Sequence, residues 1–350
     1  MKAEETLIAA IPMQMIGPLR LVYDGAEETL RVPMATFESP LWPSTARGAR
    51  VSMQTAGIAV SIAADVMARS ILLEAPSAAE AVAAVASLCR DKPRIAEAVN
   101  ATSRFGTFSD LHWQIVGNLV YLRIEMQTGD ASGHNMVTAG AEAAMNAILA
   151  WHPNLRYSSL SANYCTDKKT SAVNGILGRG KYAIAELRIP EALCRKLLRT
   201  TPQAIATLNT RKNLLGTALA GGTRSANAHA ANMLLAVYLA TGQDAANIIE
   251  GSQAFTLAET DEATGDLRFS VTLPNLIVGT VGNGKTLPFV EANLDALGCR
   301  QPRTTGENAR RLAAITAAAV LCGELSLMAA LTNPGELMNA HRKLERASRE

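Results

Sequence analysis

The alternation and period of apolar positions divide the chain into three stretches. Over residues 7 to 35, Leu7–Ile11, Leu19–Tyr23 and Thr29–Pro33 read as short strands, with Gly17-Pro18 as a turn between the first two. Residues 34 to 43 form a proline-punctuated loop. Ser44–Arg50 then offers hydroxyls, a glycine and two cations for a helix start or an anion contact.

The period changes after Arg69. Ile71–Leu73 reads as a strand, and Ser77–Leu88 as an alanine-rich helix with a capping box from Ser77 and Glu80. Leu111–Val116 and Leu119–Met126 flank Gly117-Asn118 as a hairpin, Asn135–Trp151 has a helical period, and Tyr157–Leu160 returns as a strand. The order β-α-β-β-α-β is that of the ferredoxin-like unit.

Beyond residue 160 helices dominate, at Pro190–Leu198, Gln203–Leu208, Ser225–Thr241, Leu287–Leu297 and Glu307–Leu331. Ala183–Ile189 and the hairpin Phe255–Glu259 with Leu267–Thr272 are the strands there. The fold class expected is α+β. A large helix-rich domain (residues 1–69 and 161–350) is interrupted by an inserted ferredoxin-like unit (residues 70–160).

Composition sharpens this reading. The 350 residues are 48% hydrophobic but only 4% aromatic, so aliphatic side chains must fill the core. The apolar run Leu312–Leu331 is broken by Glu324 and preceded by two arginines, which favours a buried core helix over a membrane span. Thirty-three basic against 31 acidic residues give +2, a balance that points to neither nucleic acid nor a membrane surface as partner. Five scattered cysteines without CxxC spacing, and a charged N-terminus without a signal-peptide core, suggest reduced thiols and a soluble, cytoplasmic protein. No metal-ligand spacing is present.

The densest chemistry lies in Ser161-Ala-Asn-Tyr-Cys-Thr-Asp-Lys-Lys169. Here Asp167 adjoins two consecutive ammonium groups, Lys168 and Lys169, which point in different directions and can address two oxygens of one ligand. Gly279–Thr286 matches the P-loop pattern GxxxxGK[ST], a reading opposed by Pro274 upstream and Pro288 downstream. Asn227-Ala-His-Ala-Ala-Asn232 and Gly242-Gln-Asp244 place polar groups near the two ends of one helix, where capping competes with a role for Asp244 beside Lys168. Ser103-Arg104 suits a phosphate monoester, and Gly129–Asn135 is a glycine-rich loop opening a helix, a place for a pyrophosphate.

Together these stretches resemble 3-hydroxy-3-methylglutaryl-coenzyme A (HMG-CoA) reductase of the class I type, in its short soluble bacterial form. The resemblance runs from about Ile11 to His341. It is carried by Asn163–Lys169, Asn227–Asn232 with Gly242–Asp244, Gly306-Glu-Asn-Ala-Arg310 and Gly323–Ala330.

It implies reduction of HMG-CoA to mevalonate and CoA with two NADPH. Lys168 would meet the oxyanion, Glu38 supply a proton, Asp244 link the two, and His341 protonate the departing thiolate. Arg69, Ser161, Asp167, Lys169, Lys212 and Asn232 would bind the substrate, with Arg47 and Arg50 on the CoA phosphates. Ser103, Arg104, Asp130, Ser132, Gly133, His134, Asn135 and Gly282 would bind NADPH. The resemblance further implies a homodimer or homotetramer with its active site at the subunit interface. Departures from the family pattern include Phe37 and Ser39 around Glu38, Ser132 and His134 in place of two methionines, Asn283 and Lys285 in the glycine loop, and Ala340. The rival readings are a P-loop NTPase through Gly279–Thr286, a non-catalytic HMG-CoA-binding relative, and a preference for NADH.

Overall fold

The computed structural model describes residues 8–345. The fold mixes helix and sheet, as expected, around two hydrophobic cores. Among the described residues, nine strands form one branched sheet. They are β1 (Met13–Tyr23), β2 (Ala26–Ala35), β3 (Ile58–Glu74), β4 (Thr107–Val116), β5 (Leu119–Gln127), β6 (Arg156–Ser159), β7 (Gly180–Ile189), β8 (Phe255–Thr260) and β9 (Leu267–Leu276). The main path runs β2-β1-β3-β7-β9-β8, and β5, β4 and β6 branch from it through β3.

β3 is the pivot. Its first half lies between β1 and β7, through pairs such as Leu21↔Ile58 and Ser61↔Ile184. Its second half lies between β5 and β6, through pairs such as Ile71↔Leu122 and Leu73↔Tyr157. The boundary expected at residues 69/70 therefore falls inside one continuous strand.

Two helices surround the second half of β3 with the expected partners, α2 (Ala78–Arg90) and α4 (His134–Trp151); helix α1 (Leu41–Ser52) precedes them. Ser77 caps α2 through Glu80 N–H at 3.2 Å, as its capping box predicts. A further helix, α3 (Lys92–Asn100), is added, so the unit reads β-α-α-β-β-α-β. Its inward side chains Ile95 and Val99 complete that core.

Other boundaries also differ from expectation. Residues 8–12 are not strand, and Leu7 lies outside the described residues. Gly17-Pro18 is a register shift inside β1 rather than a turn between strands. Pro274 sits within β9, beside a register irregularity against β7. The helix after residue 225 is shorter, Ala230–Ala240, because Ala226 bridges to Phe255 and Asn227 Oδ1 accepts Ala230 N–H at 3.1 Å. Cys194–Leu198 and Asn209–Gly216 are wide, π-type turns.

Helix Glu307–Leu331 is long and apolar enough to cross a bilayer, but its most apolar window is 94% buried inside the fold, so it is the core helix of the larger unit. Glu324, which interrupts that run, is fully buried. Its carboxylate accepts N–H from Ala228 (2.8 Å) and His229 (2.6 Å) and the Thr256 hydroxyl (2.7 Å), and so fixes the start of helix Ala230–Ala240. Four of the five cysteines are buried and all are free.

Candidate active site

The segment 161–170 links β6 to the helix Ala172–Leu177 and holds three non-glycine residues with positive φ: Asn163 (56°), Thr166 (47°) and Lys168 (55°). A β-branched threonine there is a genuine outlier, and such backbone persists only where its surroundings over-determine it.

The surroundings are visible. Ser70 Oγ accepts N–H from Tyr164 and Cys165, both at 3.1 Å. Asn174 Nδ2 donates to Thr166 O at 3.0 Å, and Glu250 Oε1 accepts Lys168 N–H at 3.1 Å. Behind the loop, fully buried Arg179 donates to Asp167 Oδ1 (2.9 Å), Glu250 Oε1 (3.0 Å) and Ala68 O (3.3 Å). Burial pushes the Glu250 carboxyl up from its ordinary value.

This scaffold aims Lys168 outward. Its Nζ lies 2.7 Å from Asp244 Oδ2, and that hydrogen bond raises the Lys168 pKa. Burial alone would raise the Asp244 carboxyl, but the Lys168 ammonium and the Ala246 N–H outweigh it and hold it low. Arg69 NH2 approaches Asp167 Oδ2 at 3.9 Å while its Nε donates to Thr138 Oγ1 at 3.0 Å. His134 Nε2 lies 3.7 Å from Asp167 Oδ1, and burial, aided by Arg179, lowers that imidazole to about 4. Buried polar atoms without a hydrogen-bond partner among the described residues gather here: His134 Nε2, Arg179 Nη2, Asn247 Oδ1, Glu250 Oε2 and Asn275 Oδ1. Such atoms are uncommon in folded proteins.

A second group lies elsewhere on the chain. Glu38, in the loop between β2 and α1, accepts Asn232 Nδ2 at 2.7 Å. Both line a cavity of about 400 Å³ with Arg47, Arg50, His229 and Glu336. Arg47 is held by Glu336 and by the Ser326 hydroxyl and carbonyl. The expected link of Asp244 to Glu38 is not made: Asp244 meets Lys168, Glu38 meets Asn232, and no hydrogen bond or ion pair among the described residues joins the two pairs. The two carboxylates sit on different elements, one before α1 and one after helix Ala230–Ala240. His341 belongs to helix Glu336–Glu345, with its side chain outside the described residues.

The other expected residues scatter. Lys212 Nζ donates to Asn213 Oδ1 at 3.1 Å within the wide turn at 209–216. Lys169 is exposed and reaches back to Asp167 O at 3.1 Å, and Ser161 is exposed. Ser103 Oγ accepts N–H from Phe105 and Gly106, while Arg104 lies over the Phe105 ring at 5.3 Å.

Asp130 caps helix Glu307–Leu331 across the fold. Its carboxylate accepts Gly306 N–H and Ala309 N–H, both at 3.0 Å. Gly133 opens α4 at φ 94° with no side-chain cap, which leaves the first backbone N–H groups of α4 available to an anion. A Cβ there would stand 2.6 Å from Thr128, so only glycine fits. Ser132, His134 and Asn135 lie beside it, Asn135 exposed.

The P-loop expectation fails on geometry. In the loop that carries Gly282, residues 281–284 and 286–289 are all exposed, whereas Lys285 is 8% exposed and turns inward to the Gly242 carbonyl. It does not face a ligand above the loop.

Sequence reasoning passed over Arg179, Glu250 and Glu324 as functional supports. A charged residue between two glycines, Gly178-Arg-Gly180, and an acid inside an apolar helix were the available signals.

The description "Hydroxymethylglutaryl-coenzyme A reductase" belongs to the family model that matches residues 5–346. The chain is 44% identical over 334 residues to the 3-hydroxy-3-methylglutaryl-coenzyme A reductase of Phycomyces blakesleeanus, covering 95% of this chain and 28% of that protein. It is 42% identical over 343 residues to the reductase of Strongylocentrotus purpuratus (97% and 36%). The Pyrococcus abyssi reductase is 42% identical over 341 residues (97% and 83%). The chain thus spans about a third of the two eukaryotic relatives and most of the archaeal one. Among solved structures, the class II reductase of Streptococcus pneumoniae bound to NADPH in open conformations has the same fold. Its TM-score is 0.73 at 20% identity, over 95% of this chain and 88% of that one.

Proposed function

Since the chain belongs to the hydroxymethylglutaryl-coenzyme A reductase family, we propose that it reduces HMG-CoA to mevalonate and free CoA in two hydride transfers. The observation that carries this reading is the Lys168–Asp244 pair, 2.7 Å apart, with Lys168 held at positive φ in the 161–170 segment and Asp244 presented from the turn after helix Ala230–Ala240. Negative charge develops on a carbonyl oxygen in both reductions, first from the thioester and then from the aldehyde. A preorganised ammonium is the group that stabilises it. Asp244 keeps Lys168 charged and aimed. Glu38 supplies the proton that the oxygen takes up, Asn232 orients Glu38, and His341 protonates the thiolate as the C–S bond breaks. A second copy of the chain, as dimer or tetramer, closes the distance between the Glu38 and Lys168 groups.

NADPH, when bound, supplies the hydride. The uncapped α4 terminus at Gly133 and the Ser103-Arg104 turn fit its phosphates. His134 and Asn135 flank that terminus. Asp130 serves by fixing the loop, and Ser132 and Gly282 lie beside it. Arg69, Ser161, Asp167, Lys169 and Lys212 would gather at the substrate carboxylate, and Arg47 and Arg50 at the CoA phosphates. Residues 70–160 form the cofactor domain and the remainder the substrate domain. The class I subtype is part of the same proposal: identity is 40–44% to family relatives such as those above but only 20–21% to the Streptococcus pneumoniae reductase structures.

The test is nicotinamide oxidation dependent on HMG-CoA, followed with NADPH and NADH separately. Lys168→Ala and Glu38→Gln should each abolish mevalonate formation while the melting curve survives. Retained turnover in either variant removes that residue from its role.

A further inference from the structure

Lys285 is a buried ammonium on an exposed loop. On either side of it, residues 281–284 and 286–289 are exposed, and Lys285 alone is drawn inside. Buried cations ordinarily pair with an acid. Lys285 has no acid partner among the described residues; it donates to the carbonyl oxygen of Gly242, two residues before Asp244.

The same turn is held at a second point. Gln243 exchanges hydrogen bonds with the backbone of Gly279, its Oε1 accepting Gly279 N–H at 2.9 Å and its Nε2 donating to Gly279 O at 3.0 Å. The two backbones pack directly: Gly242 has φ +64°, and a Cβ on it would stand 2.5 Å from Gly284 O. Residues 242–244 are therefore clamped to the glycine-rich loop at both ends of that loop, and Asp244 is delivered from the clamp to Lys168.

We infer that Lys285 is a positioning residue for the reduction: through the Gly242 carbonyl it sets the turn that presents the Asp244 carboxylate to Lys168. This rests on the proposed reductase reading for its kinetic consequence but not for its geometric one. Burial lowers the Lys285 pKa to about 8. The charged donor, the stronger partner for a carbonyl, is therefore lost as pH rises through that value.

The experiment compares Lys285→Met, which removes the donor at similar length, with Lys285→Gln, which keeps a neutral donor. A displacement of Asp244 by about 1 Å should lower kcat of Lys285→Met by roughly 10- to 100-fold, with KM for HMG-CoA changed less than about twofold. Lys285→Gln, a neutral donor at every pH, should give a kcat between those of Lys285→Met and the wild type, close to what the wild type keeps above pH 8, and lose the part of the alkaline limb centred near 8.

A crystal structure of Lys285→Met should show Asp244 Oδ2 withdrawn from the 2.7 Å contact with Lys168. If that contact is intact, or if kcat and the pH profile match the wild type, the inference is overturned. Should Lys285→Met fail to fold, Lys285→Gln with an unaltered alkaline limb overturns it equally. If the wild-type protein oxidises no nicotinamide with HMG-CoA, the reductase reading fails, and the crystallographic comparison alone decides the role of Lys285.

Discussion

Arg179→Met removes the cation behind the Lys168 loop while keeping most of its length and volume. Arg179 and Glu250 are both fully buried, joined at 3.0 Å, and the same guanidinium holds Asp167 at 2.9 Å. Its loss strands a buried carboxylate, which costs about 3–5 kcal/mol when one partner of a buried pair is deleted. An unfolding entropy of about 2.1 cal/mol/K per residue over the 350 residues gives close to 0.7 kcal/mol per degree, so the melting temperature should fall by roughly 4–7 °C.

The sign of the pH dependence follows from the buried acid. Glu250 is raised above its ordinary value by burial, so its protonated form favours the fold. That contribution is full below the unfolded value and is lost as pH rises through the folded one. The Arg179→Met deficit should therefore be smaller in mildly acidic buffer than in alkaline buffer. The double variant Arg179→Met/Glu250→Gln should regain part of the loss, since no buried anion remains. Differential scanning calorimetry across pH reads all three. A single variant melting within about one degree of wild type, or a double variant no better than the single, refutes the reasoning.

Three further outcomes are expected. Asp130→Ala deletes the acceptor for Gly306 and Ala309 N–H and should cost about 1–2 kcal/mol in urea denaturation, as loss of a helix cap does. Asp244→Asn replaces the anionic acceptor that raises Lys168 with a neutral one, so any alkaline limb owed to Lys168 should move to lower pH in the kcat profile, alongside a fall in kcat itself. Lys285 binds protons less tightly folded than unfolded, so between about 8 and its ordinary 10.5 wild-type stability should rise with pH relative to Lys285→Met, as thermal denaturation in paired buffers would show.

Much of the larger pattern was legible because it obeys local rules. The capping box at Ser77, the hairpin at Gly117-Asn118 and the apolar run to Leu331 each specify their element from a few neighbouring residues. What escaped is non-local. β3 has no clean alternation, because its middle passes between strands and carries Asp65 and Arg69. These meet Lys181 at 3.2 Å and Asp167 at 3.9 Å, partners more than 95 residues away in the chain. Arg179 and Glu250 are 71 residues apart, and no local pattern tells a charge that will be buried from one that will be solvated. The Lys168–Asp244 contact was reachable through family likeness. The inward turn of Lys285 was not, since its letters spell a phosphate loop.

The seventeen-residue strand shared by both halves of the sheet also limits how the molecule can move. A hinge usually sits in a flexible connector, yet here one of the two crossings between the units is a strand hydrogen-bonded along both edges. Any swing of the unit built on residues 70–160 must twist that ribbon or slip its ladder, and slipping by one residue would invert every side chain on it. The other crossing is the stretch bearing Lys168, whose backbone is tied to Ser70 on that same strand and to Glu250. Relative motion of the two units would therefore bear on the contacts that hold Lys168 against Asp244.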